Sequence, residues 1–450
     1  MARWCKAAAL IGVSLCVLPA ARAQNGPFDP GPGFLPGAGP GSPGDGAGCI
    51  PADAAYPPPG CSVALHDPPK NKPNAFFGEH QDPETPVESS LAVSAEYLNW
   101  LIRNGPLSQP LVTSSVSPGA TLTPGALGQP GTVPLFGGND LGYGSQSGAR
   151  LSAVYTRNSW PFYLEVRGFI LEDGSLSYTN HSDATGAPFL ARPFSTDGTE
   201  MAAVISSPGL LSGALAVTSS SQFGGVEANA GFPVYSGEYA AVDVLAGFRF
   251  LDLDEDLNIY TTSTPLAAGT VNFLGATLGP GNTVNVMDVF RTHNRFYGGQ
   301  VGLRSEASLW GFSVIVDTKV ALGQTHQVVD VHGTSTLISP TGVTQVPGGL
   351  LALRSNSGIL SNQEFSVAPE LTVNVGYELT QSLRIFVGYN LLYWTNVARP
   401  GDQVNRSIDV RQVPTSPSFS ATAVAVSPPQ PFKQSDFWAQ GVNVGIVLGF

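Results

Sequence analysis

The 450-residue chain carries only 12% charged side chains, about half the share of about 25% usual in soluble domains. Glycine (53) and proline (38) are abundant and the formal net charge is −12, which excludes a nucleic-acid partner because phosphate binding needs a basic face. No stretch beyond the N-terminus reaches ~18 consecutive apolar residues, so helical membrane spans are excluded as well.

Arg3 and Lys6 form a short basic region, and Ala7 to Leu18 is apolar but too short to cross a bilayer. Ala21-Arg22-Ala23 follows with the small-x-small pattern that a signal peptidase cuts. These residues predict a signal peptide over 1–23 and a mature start at Gln24. Runs such as Gly31-Pro32-Gly33 and Pro57-Pro58-Pro59 sustain neither a helix nor an interior strand, so 24–90 is expected to be a Pro/Gly-rich periplasmic linker. Cys49 and Cys61 lie within it. An oxidising compartment makes them a candidate disulfide, with two unpaired thiols as the other reading.

From Leu91 the apolar period becomes two, the mark of strands with one face in an apolar medium. Leu91 to Arg103 is the first. Leu151, Ala153 and Tyr155 lead through a turn to Phe162, Leu164, Val166 and Ile170. Val226 to Phe232 is followed by Val242 to Phe250, and Tyr297 to Ala307 turns at Trp310-Gly311 into Phe312 to Leu322. The clearest hairpin joins Phe365, Val367, Leu371, Val373, Val375 and Tyr377, through Thr380-Gln381-Ser382, to Leu383, Ile385, Val387, Tyr389, Leu391 and Tyr393. Trp438 to Phe450 is the last. One strand, four hairpins and one strand make ten, an even number as in bacterial single-chain barrels. Long segments at 104–146, 177–220, 263–290, 332–364 and 400–435 alternate with tight turns and are expected to be outer loops. Trp100, Tyr155, Trp160, Trp310, Tyr393, Trp394 and Trp438 stand near strand ends, where interfacial girdles form. The terminal aromatic Phe450 is the usual assembly signal for the barrel-assembly machinery. The fold class that follows is all-β: an antiparallel up-and-down transmembrane β-barrel over 91–450, with about ten strands, or twelve if the long segments hide two more.

Several segments resemble a known family. They are Val93-Ser94-Ala95-Glu96-Tyr97-Leu98, Asn104-Gly105-Pro106-Leu107, LAGFRFLDLDEDL from Leu245 to Leu257, FYGG from Phe296 to Gly299, and VGYNLLYWTNVARPGDQ from Val387 to Gln403. They are similar to the planctomycete-type outer-membrane barrels called putative beta-barrel porin type 7, over about residues 91–450. The resemblance implies an outer-membrane barrel and carries no substrate with it.

Strand parity turns six basic residues (Arg150, Arg167, Arg249, Arg304, Lys319 and Arg384) toward the lumen. It does the same for seven acidic ones: Glu165, Glu227, Asp243, Glu306, Asp317, Glu370 and Glu378. Eight strands are just filled by their own side chains, whereas open porins use about 16–18, so ten leave a narrow interior in which these charges can pair. A porin-like channel for small solutes or ions is one reading, and a closed or small-conductance barrel stands beside it. A non-conducting surface adhesin or structural barrel is the alternative, because the long loops suit recognition. An outer-membrane hydrolase is a third reading. Asp252, Asp254 and Asp256, and Asp330 with His332, have the acidic and Asp/His character that water activation needs, but they continue the lipid-facing series. No catalytic residue, metal-ligand set or cofactor site is assigned. The six histidines are scattered, and no phosphate-binding loop occurs. The expected partners are outer-membrane lipid, lipopolysaccharide, the assembly machinery and small solutes.

Overall fold

Side chains that alternate between two environments impose an extended backbone. The computed structural model describes residues 89–119, 122–424, 427 and 432–450. The expected signal peptide, Cys49 and Cys61 lie outside the described residues. In chain order the strands are β1 (Ser89–Ile102), β2 (Pro110–Ser115), β3 (Thr132–Gly137), β4 (Ser145–Arg157), β5 (Tyr163–Leu171) and β6 (Gly174–His181). Next come β7 (Leu190–Thr196), β8 (Thr199–Ser206), β9 (Leu211–Ser236), β10 (Ala240–Pro265), β11 (Val271–Phe273) and β12 (Ala276–Leu278). β13 (Thr283–Leu309), β14 (Phe312–Ser339), β15 (Gly342–Pro347), β16 (Gly358–Thr380), β17 (Leu383–Val397) and β18 (Ser435–Gly449) complete the set.

Ten of them form one hydrogen-bonded antiparallel ring in the order β1-β4-β5-β9-β10-β13-β14-β16-β17-β18. β18 closes on β1 from Ala439 opposite Ile102 to Gly449 opposite Ala92. Phe450 ends the seam, exchanging backbone hydrogen bonds of 2.8 and 3.1 Å with Leu91. Closure removes the unpaired edge that an open sheet would expose. The long segments add no ring strand. β6 continues β5 along β9, and β15 folds back on β14. β2, β3, β7 and β8 form a separate four-stranded sheet.

The tight turns follow the local chemistry. Leu309 pairs with Phe312 across a two-residue turn in which Trp310 (φ 53°) and Gly311 (φ 81°) are both left-handed, the turn that matches strand twist.

The polarity of the wall reverses part-way along the strands. At the short-turn end β14 points Phe312, Val314, Val316, Val320 and Leu322 outward, and Ser313, Asp317 and Lys319 inward. Above Leu322 the sense inverts: Gln324, His326, Asp330 and His332 face out, while Val329 and Val331 are buried inside. β10 does the same. Phe248 is exposed, but Leu251, Leu253, Leu257 and Ile259 are buried within, with Asp252, Asp254, Asp256 and Asn258 on the outer face. A membrane strand needs about 9–11 residues, and β10, β13 and β14 have 26, 27 and 28. Their lower halves are built for lipid and their upper halves for water on the outside.

This inversion corrects the boundaries expected from sequence. Segments 177–220, 263–290 and 332–364 are not wholly loop: β9 begins at Leu211, β10 runs to Pro265, β13 starts at Thr283, β14 reaches Ser339 and β16 begins at Gly358. A reading that requires apolar residues on the outside stops where the environment outside changes.

Candidate functional site

The interior of the ring is where strand parity places chemistry, and it is filled. Nearest the short-turn mouth, Arg384 reaches Glu306 at 3.4 Å and Glu378 at 2.9 Å, with Glu378 itself half-open to solvent. Tyr163 donates to Asp243 at 2.9 Å. Arg304 donates to Glu165 at 2.8 Å and to both oxygens of Asp317 at 2.8 and 3.0 Å. Arg167 bonds Glu165 at 2.9 Å and approaches Asp317 at 3.3 Å and Glu227 at 3.8 Å. Lys319, fully buried, donates to Glu227 at 2.5 Å and lies 3.5 Å from Glu370, and Arg249 bonds both of these carboxylates. On the opposite wall Arg150 contacts Glu96 at 3.3 Å and donates to Asn390 at 2.9 Å. Charges held this far from water survive only when paired and hydrogen-bonded. A cavity of about 50 Å³ remains among Glu165, Arg167, Arg304 and Asp317, room for a few water molecules and no more.

Above the charges lies a continuous aromatic layer. Trp100 meets Phe169 at 5.3 Å, Phe169 meets Phe223 at 5.2 Å, and Phe223 meets Phe437 at 4.8 Å between ring centroids. Trp394 joins Phe223 at 6.5 Å and Phe296 at 6.1 Å. Six wall strands contribute. A guanidinium packs on the layer from each side: Arg150 lies 5.2 Å from the Trp100 ring, and Arg399 lies 5.5 Å from that of Phe437.

Beyond the aromatics, chain returning from the long-loop end occupies the lumen. Arg399 pairs with Glu255, both fully buried, and donates to the carbonyl of Arg103 at 3.2 Å. Asn294 on β13 grips the backbone of Ala398, donating at 2.8 Å and accepting at 2.9 Å. Asp288 accepts from the amides of Leu351 and Ala352 at 2.9 and 2.7 Å and pairs with Arg192 at 2.7 Å. It thereby holds the buried run Leu350 to Leu353 inside the wall. Tyr143, in the segment before β4, contacts Ser219 at 2.9 Å, and burial together with the Glu255 charge raises its pKa above the usual phenol range.

On the outside, Asp252, Asp254 and His293 bring potential ligand atoms within 4.8 Å of one another. His293 Nε2 lies 3.0 Å from Asp252, and Nδ1 contacts Asp254. Carboxylates thus flank both ring nitrogens, an arrangement that favours the charged imidazolium. These residues sit above the apolar belt. Burial opposes the charge on His293, but Asp252 and Asp254, as acceptors beside its ring nitrogens, overcome it and raise the pKa from 6.5 to about 9. Asp330 and His332, 3.5 Å apart, also face outward, on the opposite side of the wall from the lumen.

The family model described as Putative beta barrel porin-7 matches residues 93–450. The chain belongs to that family. No curated protein matches this family member. It is similar to the solved structure of a deltaS2 mutant of TodX, a monoaromatic hydrocarbon channel (8% identity, 81% of this chain and 90% of that chain, TM-score 0.19); TodX is a toluene transporter of Pseudomonas putida. It is also similar to the Ralstonia pickettii toluene transporter TbuX (10%, 81% and 90%, TM-score 0.18). A third is the outer-membrane expressed OmpT of Vibrio cholerae (9%, 81% and 99%, TM-score 0.13). Likenesses with these scores carry no argument about mechanism.

In this porin-7 family member Trp100 and Trp394 overturn part of the expected girdle. Both are buried inside the ring, because they share a strand face with Glu96 and Asn390, whereas Trp310 is exposed at its turn. Sequence reading also missed Glu96, Glu255, Arg399 and Asp288. Parity along β1 would have found Glu96. Glu255 and Asp288 lie beyond the polarity reversal, and Arg399 lies off any strand, so no periodic signal marks them.

Proposed function

We propose that this chain is an outer-membrane barrel whose lumen is closed at rest, with a folded cap carried on long walls above the lipid. The observation that supports this reading is the unbroken filling of the ring: paired charges, then six aromatic rings, then inserted chain held by Arg399 and Asn294. Ions have no aqueous route past side chains packed at aromatic contact distance. The short turns and the Leu91–Phe450 end of the β1–β18 seam then face the periplasm, and the four-stranded sheet faces outward as a structural or recognition surface.

Membership of a porin family supports a second reading, a small-solute channel that opens when the inserted segment leaves. Both readings are tested by single-channel recording of the refolded mature protein in a planar bilayer, with heat-modifiable gel migration as the folding control. The closed barrel predicts folded protein without current. Steady ion-selective steps from the unmodified protein would overturn it in favour of an open pore. Failure to insert at all would sink the membrane reading.

A further inference from the structure

The outer wall has a gap where the apolar belt meets the polar zone. Three registered rows cross β10, β13, β14 and β16 there. The lowest reads Phe248, Gly299, Leu322, Val367; the next Phe250, Tyr297, Gln324, Phe365; the third Asp252, Arg295, His326, Gln363. Gly299 breaks the lowest row. A Cβ added there would meet nothing nearer than 4.0 Å, so the space above it is open. The result is an outward groove of about 600 Å³ with an apolar lower wall of Phe248, Tyr297 and Leu322 and a floor of Gly298, Gly299 and Gly323 backbone.

Its upper lining is Arg295, Gln324, His326 and Gln363, which includes a cation and two amides and no carboxylate. Asp252 approaches Arg295 only to 3.6 Å and is closer to His293, at 3.0 Å, while the Arg295 side chain is 46% exposed. Among the described residues His326 Nδ1 has no hydrogen-bond partner.

We infer that this groove binds one anionic phospholipid, its acyl chain over Gly299 and its phosphate against Arg295 and His326. An acyl chain needs a slot without side chains that opens into the hydrocarbon. A phosphate needs donors without a competing carboxylate at the level where hydrocarbon ends. The groove supplies both in the right vertical order. The inference rests on the membrane placement proposed above.

The test uses the full chain, refolded into vesicles of equal parts phosphatidylglycerol and phosphatidylcholine, extracted in mild detergent and weighed by native mass spectrometry. One retained phosphatidylglycerol is expected, favoured about fivefold over phosphatidylcholine, the ratio one basic side chain at an anionic lipid surface produces. Arg295→Gln should bring that ratio near one, and Gly299→Leu, which fills the slot, should remove the retained lipid of both kinds. Equal retention of the two lipids by the unmodified chain, an unchanged ratio in Arg295→Gln, or displacement of the adduct by inorganic phosphate would overturn the inference. So would an unchanged adduct in folded Gly299→Leu. Failure of the barrel reading is recognised separately, by loss of heat-modifiable migration and of insertion.

Discussion

Arg399 donates through Nη2 to Glu255 Oε1 at 2.7 Å at a point where neither side chain reaches water. Glu255 belongs to the wall and Arg399 to the segment that follows β17, so this one pair ties the filling of the lumen to the ring around it. Removing one partner leaves a buried charge alone, which costs about 3–5 kcal/mol, while replacing both by apolar residues removes that penalty. Glu255→Gln is therefore expected to lower the temperature at which the compact gel band is lost, and the double variant Glu255→Leu/Arg399→Met to recover most of it. Identical transitions in all three proteins would show that the pair holds nothing.

Asp288 gives a second handle on the inserted chain. Its carboxylate accepts the amides of Leu351 and Ala352, and Arg354 next to them is exposed. Asp288→Ala should release the run Leu350 to Leu353 and speed tryptic cleavage after Arg354 in the folded protein. Cleavage at the unmodified rate would mean that Asp288 does not anchor the segment.

Three layers fill the lumen in series, so opening any one of them should not open a path. Lys319→Met leaves Glu227 and Glu370 with fewer cations and is expected to destabilise the barrel by about 3–5 kcal/mol without producing current, because the aromatic layer stays in place. Phe223→Ala with Trp394→Ala removes the rings that join Phe169, Phe296 and Phe437 but leaves the charges below and the inserted chain above, so it too is expected to cost stability without giving current in planar bilayers. Current from either variant would assign the block to the one layer it disrupts and overturn the three-layer closure.

His293 should remain an imidazolium well above neutral pH. Its pKa is raised to about 9, so the ring proton that Asp252 and Asp254 stabilise is present throughout the neutral range and leaves as pH rises through about 9. A ¹⁵N-histidine NMR titration in micelles should show that midpoint, and Asp254→Asn should move it down toward 6.5. A midpoint already near 6.5 in the unmodified chain would contradict the geometry.

Ten strands and their pairing order were legible because each crosses lipid, where one face must be apolar whatever the rest of the chain does; Phe365 to Tyr377 alternates without interruption for that reason. The upper wall was illegible by the same rule, since Leu251, Leu253, Leu257 and Ile259 keep the period, broken only by Glu255, but with their apolar face turned inward. Parity assigns a side, and the medium on that side has to be known separately. Trp100 and Trp394 show the cost: their closeness to strand ends suggested an interface, while their strand face put them in the lumen. The Arg399–Glu255 pair spans 144 positions, and no local pattern encodes a contact at that separation.

The reversal of polarity on β10, β13 and β14 also works as a load line. Sinking the barrel by two residues would drag Asp252, Arg295 and His326 into hydrocarbon, and an arginine there costs up to roughly 2–4 kcal/mol as it nears the midplane. Raising it by the same step would leave Phe248, Leu322 and Val367 in the headgroups and bring short-turn aromatics into the oil. The ring is too stiff to shorten and its floatation depth is written on its side, so in a membrane of another thickness the lipid has to stretch or thin to meet it.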